Sequence, residues 1–310
     1  MHRCRRIIAV VLVTLAGLLP LGCADTDAGK GPIVVGSKID TEGALLANAI
    51  ILMLEDNGFG VEDKSYFGPT EIVRKALLTG ELDIYPEYTG SGMLFFPDSD
   101  AMVWQNAAQG YETVRQLDLQ ANNIVWLQPA PANNTWAIAV PEGLADSEGL
   151  VTLDDLAAYV NRGGYFKIAC SEEFVTSPAA LPAFQAAYGF ELNQTQLLTL
   201  AGGNTAQTEQ AAAQAIDGVN AAMAYGTDGA LSALGLVVLT DPRGAQPVYE
   251  PAPTIRAEVL AEYPEIEEIL NPVFLSLSLE TLQMLNGRIA FGGEDAAAVA
   301  EDYLRTQGFL

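Results

Sequence analysis

Histidine is almost missing: His2 is the only one in 310 residues. It falls in an N-terminal segment that reads as a removed leader, so the mature chain has no imidazole. That excludes Ser-His-Asp and Cys-His nucleophilic catalysis and most zinc sites. Cysteine is nearly as scarce, at Cys4, Cys23 and Cys170. Cys4 sits in the leader and Cys23 at its end. Only Cys170 remains, so no intrachain disulfide or cysteine metal site is expected. In "KIACSEE" it reads as a packed core thiol. Basic charge is also short, with 15 Lys+Arg against 39 Asp+Glu and a net charge of −24. This argues against nucleic acid and against anionic membrane surfaces as partners. No paired-acid spacing, nucleophile elbow, metal motif or short repeat stands out. An enzyme is not expected, and neither is a cofactor.

The leader is "MHRCRRIIAVVLVTLAGLLPLGCAD". Arg3, Arg5 and Arg6 make its basic start. The apolar run that follows, 7–19, is too short for a comfortable transmembrane helix. This is the layout of a secretory signal. Gly22-Cys23 resembles a bacterial lipobox, in which Cys23 becomes the lipidated first residue. Pro20 departs from the aliphatic residue usual at that place, and ordinary cleavage with free secretion is the alternative. Residues 1–23 are therefore assigned to the signal and 24–32 to a polar tether.

Half of the chain is apolar, and its length suits two domains. "PIVVGSK" reads as a buried strand over 33–36. Thr41-Glu42 caps a long apolar helix that Gly58 stops. "FGVEDKSYF" is a second strand. "GPTEIVRKALLTG" is a helix with Pro69 at its start and Gly80 at its end. "ELDIYPEY" holds a third strand, over 82–85. Strand, helix, strand, helix, strand implies a parallel wound sheet. After a helical stretch at 100–117, "NIVWLQPAPANNTWAIAV" reads as two extended segments crossing between domains. "GVNAAMAYGTDGALSALG" repeats the early grammar, with Tyr225 at a strand end before a Gly-rich turn. "LVVLTD" is a strand on the return, and everything from "TIRAEVLAEYPEIEEILNPV" onward is helical.

Ligands of open α/β sheets bind outside the carboxyl ends of strands. Tyr85, Tyr88 and Tyr225 fall there. Aromatic faces attract cations, by about 0.5–2 kcal/mol per ring when desolvated. They suit a quaternary ammonium group, which has no N–H to donate to a carboxylate. Rim packing of the core is the plainer explanation of the same rings. Tyr85 is expected to pack in the first lobe. Glu87 serves either a cation or a turn cap, and Asp83 and Asp228 read as loop-ordering carboxylates.

"IVVGSKIDTEGALLANAIILMLEDNGF", "ALLTGELDIYPEYTGSG", "PAPANNTWAIAV" and "AYGTDGALSALGLVVLTD" occur in this order. Together they resemble the substrate-binding proteins of ABC importers for glycine betaine, choline and related osmoprotectants, over nearly the whole mature chain. The resemblance implies a type II periplasmic-binding-protein fold, α/β, with two parallel-rich lobes joined by two crossover strands. Lobe 1 would be 33–133 plus 247–310, and lobe 2 134–246. It implies capture of a small quaternary amine outside the membrane by a monomer, and delivery to a permease with its ATPase. Carried over by motif, Tyr88, Trp136, Tyr225 and Tyr249 would form the aromatic cage. Ser91 would help set ligand choice, and Lys38 and Asn134 would face the ligand's other end. Lys38 equally suits the surface, Asn134 a turn, and Tyr249 a loop anchor. The chain departs from the pattern at Gly43, where a Gln is usual, and at Ser177, where many members carry an Arg. The missing bidentate fork weakens recognition of a ligand carboxylate and favours choline or another cation without one. A ligand sensor without a transporter, or a binding protein for another small solute, on the same fold is the competing reading. A lipid-anchored hydrolase lacks any site to support it.

Overall fold

The computed structural model describes residues 30–200 and 205–310. The expected signal with Cys23, and the tether up to residue 29, lie outside them. The strands are β1 (Lys30–Lys38), β2 (Phe59–Gly68), β3 (Ile84–Tyr88), β4 (Ile124–Trp126), β5 (Trp136–Pro141), β6 (Ile168–Ser171), β7 (Leu197–Leu200), β8 (Ala221–Tyr225), β9 (Leu236–Val238) and β10 (Pro251–Arg256). They form two 5-stranded sheets, ordered β2-β1-β3-β10-β4 and β7-β6-β8-β5-β9. β1 runs parallel to β2 and β3, as β6 does to β7 and β8. In each sheet one strand, β10 or β5, runs against both neighbours. Each reversed strand is the first that the chain lays down after passing from one sheet to the other. The sheets are thus mixed, and α/β as expected.

The two passages, 127–135 and 239–250, lie side by side. The amides of Ala130 and Asn134 donate to the carbonyls of Pro251 and Tyr249 at 2.8 Å each, and Thr135 Oγ1 donates to the Pro247 carbonyl at 2.8 Å.

Helices cover both faces of each sheet. Helix Thr41–Asp56 is apolar nearly all round, which a helix can be only when it is buried on most sides. It packs with helices Glu265–Ser276, Leu279–Ala290 and Ala296–Gln307 over one face of the first sheet. Its cap is Asp40, whose side chain accepts from the Gly43 amide at 2.7 Å. The expected cap at Thr41-Glu42 is thus one residue late, and Glu42 points inward. Helices Thr70–Thr79 and Ala107–Asn122 cover the other face, around Tyr85, Trp104 and Trp126. There Arg74 forks onto both oxygens of Asp118, at 2.8 and 2.5 Å, and Trp126 Nε1 donates to the same carboxylate at 2.7 Å. The second sheet is covered on one face by helices Leu153–Asn161 and Leu181–Tyr188, and on the other by Thr205–Ala213. Cys170 is fully buried in this core. Among the described residues, no helix is long and apolar enough to cross a membrane.

Two elements depart from expectation. β3 begins at Ile84 and runs through Pro86 to Tyr88. Pro86 stands opposite Pro253 of β10, a pair that lacks both amides and therefore fits only a non-hydrogen-bonded position of the antiparallel ladder. β10 itself, "PAPTIR", begins with prolines and occupies ground expected to be loop and helix.

Candidate functional site

The carboxyl ends of β1, β3 and β8 open onto one cavity of about 480 Å³. Lys38, Glu42 and Tyr88 line it from the first sheet's side. Tyr225, Asp228 and Glu209 line it from the second's. Asn134, at the end of the first passage, and Asn286, on helix Leu279–Ala290, complete the wall between them.

Glu42 is the hub of the first half. Only 5% exposed, it accepts from Tyr88 Oη at 2.8 Å, Asn134 Nδ2 at 3.1 Å and Asn286 Nδ2 at 2.6 Å. Among the described residues no basic side chain pairs with it. Burial therefore pushes its carboxyl up to about 7, against the pull of these hydrogen bonds. Burial likewise raises the Tyr88 hydroxyl well above its usual range. Asn286 also donates to the Thr227 carbonyl at 3.0 Å, which ties the C-terminal helices to the turn after β8. The close approach depends on glycine: a Cβ on Gly229 would overlap the Gly287 backbone.

Lys38 Nζ bonds Glu87 Oε1 at 2.5 Å and stands 4.7 Å from the centroid of the Tyr88 ring. Glu87 is fully buried and also accepts from Tyr85 Oη and Ser91 Oγ, at 2.9 Å each, and from the Tyr88 amide at 2.7 Å. Its charge is spent on organising β3 and Lys38, which resolves the choice between cation ligand and cap in favour of a local role.

The second half is built on the turn after β8. Asp228 accepts from the Tyr225 amide at 2.6 Å, ordering that loop, and its carboxyl meets Glu209. Burial and mutual repulsion push Glu209 up to about 9, and burial raises Asp228 as well, so the pair shares a proton. Tyr225 ends β8 directly opposite Trp136 of β5. Their ring centroids lie 4.6 Å apart, with Phe174 a further 5.4 Å from Trp136.

The profile for the substrate-binding domain of ABC-type glycine betaine transport systems matches residues 31–306. The chain belongs to this family. It is 55% identical over 299 residues to the glycine betaine-binding protein YehZ of Escherichia coli strain K12, covering 96% of each chain. It is 31% identical over 313 residues to a glycine-betaine-binding protein of Pseudomonas aeruginosa, covering 98% of this chain and 96% of that one. The solved structure of apo YehZ from Escherichia coli superposes with a TM-score of 0.83 at 56% identity, covering 90% of this chain and all of that one. The family is one of solute-binding proteins, and those that serve ABC importers work outside the cytoplasm.

Of the seven residues carried over from the family pattern, Lys38, Tyr88, Asn134 and Tyr225 line the cavity, and Ser91, Trp136 and Tyr249 do not. Ser91 turns to Glu87, and Trp136 backs Tyr225. Tyr249 lies on the return passage, its amide donating to Asn133 Oδ1 at 2.8 Å and its ring against Gly90, where a Cβ would come within 2.8 Å of it. Gly43 gives Asp40 room to cap, since a Cβ there would press on Asp40 and the Lys38 amide. Ser177 ends helix Glu172–Thr176, outside the cavity wall. The sequence reading missed Glu42, Asn286 and Glu209. Glu42 had a signal: a carboxylate in the first turn of a helix apolar on all sides must find partners inside. Asn286 in "QMLNGRIA" had none.

Proposed function

We propose that the protein captures glycine betaine or a related quaternary ammonium solute outside the cytoplasm and delivers it to an ABC permease with its ATPase. The observation that carries this reading is that Tyr88 and Tyr225 face one cavity from two separate sheets. Rings on opposite walls suit a cation that enters between them and draws them together. Closure turns on the paired passages 127–135 and 239–250, excludes water, and strengthens each cation–π contact. Tyr88 and Tyr225 contact the cationic head directly. Trp136 holds the Tyr225 ring in place, and Tyr249 joins the wall from the return passage. Lys38 and Asn134 contact the rest of the ligand, and Ser91 acts on it through Glu87. The first lobe is 33–133 plus 247–310 and the second 134–246. No bond of the ligand is made or broken in this cycle, so the protein needs neither catalytic group nor cofactor. Cys23 carries a lipid that keeps the monomer at the membrane.

Titration calorimetry of the mature chain with glycine betaine, choline and proline tests this. A saturable heat with a quaternary amine, weakened severalfold in the Tyr225→Ala variant, supports it. Failure of all three ligands to bind defeats it.

A further inference from the structure

Four carboxyl groups surround the cavity: Asp40, Glu42, Glu209 and Asp228. Among the described residues of the lining the one basic side chain, Lys38, is bonded to Glu87. Three buried polar atoms of the lining have no partner: Asn134 Oδ1, Asn286 Oδ1 and Glu209 Oε1. The two amide oxygens are obligate acceptors, and Glu209 Oε1 becomes one when its carboxyl is ionised. Asn286 and Glu209 are only 7% and 1% exposed. Buried acceptors without partners are costly, and a cluster of them beside a cavity calls for positive charge. The amides cannot simply turn over, because each Nδ2 is held by Glu42.

Among the described residues, the groups facing these carboxyls supply no such charge. Glu42 is faced by Tyr88 from β3, by the amides of Asn134 and Asn286, by Thr227, and by Asp40. The Glu209–Asp228 pair is faced by Thr205 and Tyr225, and Tyr225 in turn by Glu173, Tyr249 and Asp40. Burial instead raises the carboxyls of Glu42, Glu209 and Asp228, which favours their protonated forms.

We propose that Glu42 and the Glu209–Asp228 pair are the counter-charge for the ligand's ammonium head, and that its arrival displaces a proton from them. The inference rests on the ligand class proposed above. The step balances simply: a carboxyl O–H breaks, the proton passes to solvent, and the carboxylate is left facing the ammonium. The Tyr88 hydroxyl touches Glu42, so a cation on the Tyr88 ring lies beside that carboxylate. The proton and the ligand's head compete for one place.

The test is calorimetric titration of the mature chain with glycine betaine near pH 7, in phosphate and in Tris, whose ionisation heats differ. The observed heats should differ between the buffers by a measurable fraction of a proton released per ligand. Affinity should rise about tenfold from about pH 6 to about pH 8. Glu42→Gln and, separately, Glu209→Gln should each reduce the proton count. Equal heats in both buffers with affinity flat in pH, while glycine betaine still binds, would overturn the proposal and leave the binding function standing. Absence of binding by glycine betaine and choline at every pH would overturn both.

Discussion

Gly229 and Gly287 hold the two halves of the site together, and replacing one of them should loosen both stability and binding. A Cβ on Gly229 would overlap the Gly287 amide nitrogen and Cα. Both sides of this contact are backbone, so no rotamer change relieves it. Overpacking of this kind costs about 1–3 kcal/mol. The relief available is withdrawal of helix Leu279–Ala290, which carries Asn286 away from Glu42 at 2.6 Å and from the Thr227 carbonyl at 3.0 Å. A hydrogen bond between uncharged groups contributes about 0.5–1.5 kcal/mol, and part of each is lost with the shift. Gly229→Ala should therefore cost about 3 kcal/mol and lower the melting temperature by several degrees. It should also weaken glycine betaine by about tenfold, because the wall that carries Asn286 has moved. Gly287→Ala meets the Gly229 carbonyl oxygen at 2.8 Å and should be milder in both respects. Thermal unfolding by circular dichroism and titration calorimetry on the same samples provide the check. A Gly229→Ala protein that melts and binds like the wild type would refute this account of the contact.

Asp118→Ala should strip Arg74 and Trp126 Nε1 of their buried acceptor and cost about 3–5 kcal/mol in urea unfolding, with ligand affinity per folded molecule unchanged. Glu42 has a raised pKa, about 7, so the folded chain holds its proton where the unfolded chain has already lost it. Its contribution to stability is thus greatest below the unfolded value and falls as pH rises toward 7, by on the order of 3 kcal/mol. Glu42→Gln should flatten that part of the pH–stability curve, which melts across the range will show. Trp136→Ala removes the ring behind Tyr225 and should weaken quaternary amine binding without touching the cavity wall; unchanged affinity in calorimetry would show that Tyr225 needs no such support.

The sequence displayed most of the architecture because its punctuation is local. Gly80 at the end of helix Thr70–Thr79 and the glycines after Tyr225 can be read without knowing what lies across the sheet. β10 was not legible, since "PAPTIR" looks like loop. It becomes a strand only because β3 offers Pro86 at the matching position, a fact of pairing rather than of local sequence. The site divides the same way. Tyr88 and Tyr225 stand at strand ends, where the fold brings carboxyl ends together, and their meeting at one cavity followed from strand order. Ser91 was expected to look toward a ligand but turns to Glu87, and Lys38, though it lines the cavity, bonds Glu87 as well, because a fully buried carboxylate collects nearby donors. Asn286 lies far along the chain from Glu42, and only the packing of the C-terminal helices against helix Thr41–Asp56 brings it there.

In the proposed function Tyr88 and Tyr225 grip one cation from opposite walls. Calorimetry of glycine betaine with the wild type, Tyr88→Ala, Tyr225→Ala and the double variant tests it most directly. Each ring should contribute about 0.5–2 kcal/mol, so each single variant weakens binding severalfold and the double variant by about 1–4 kcal/mol, roughly fivefold to several hundredfold. A double variant that binds glycine betaine as tightly as the wild type would contradict the account.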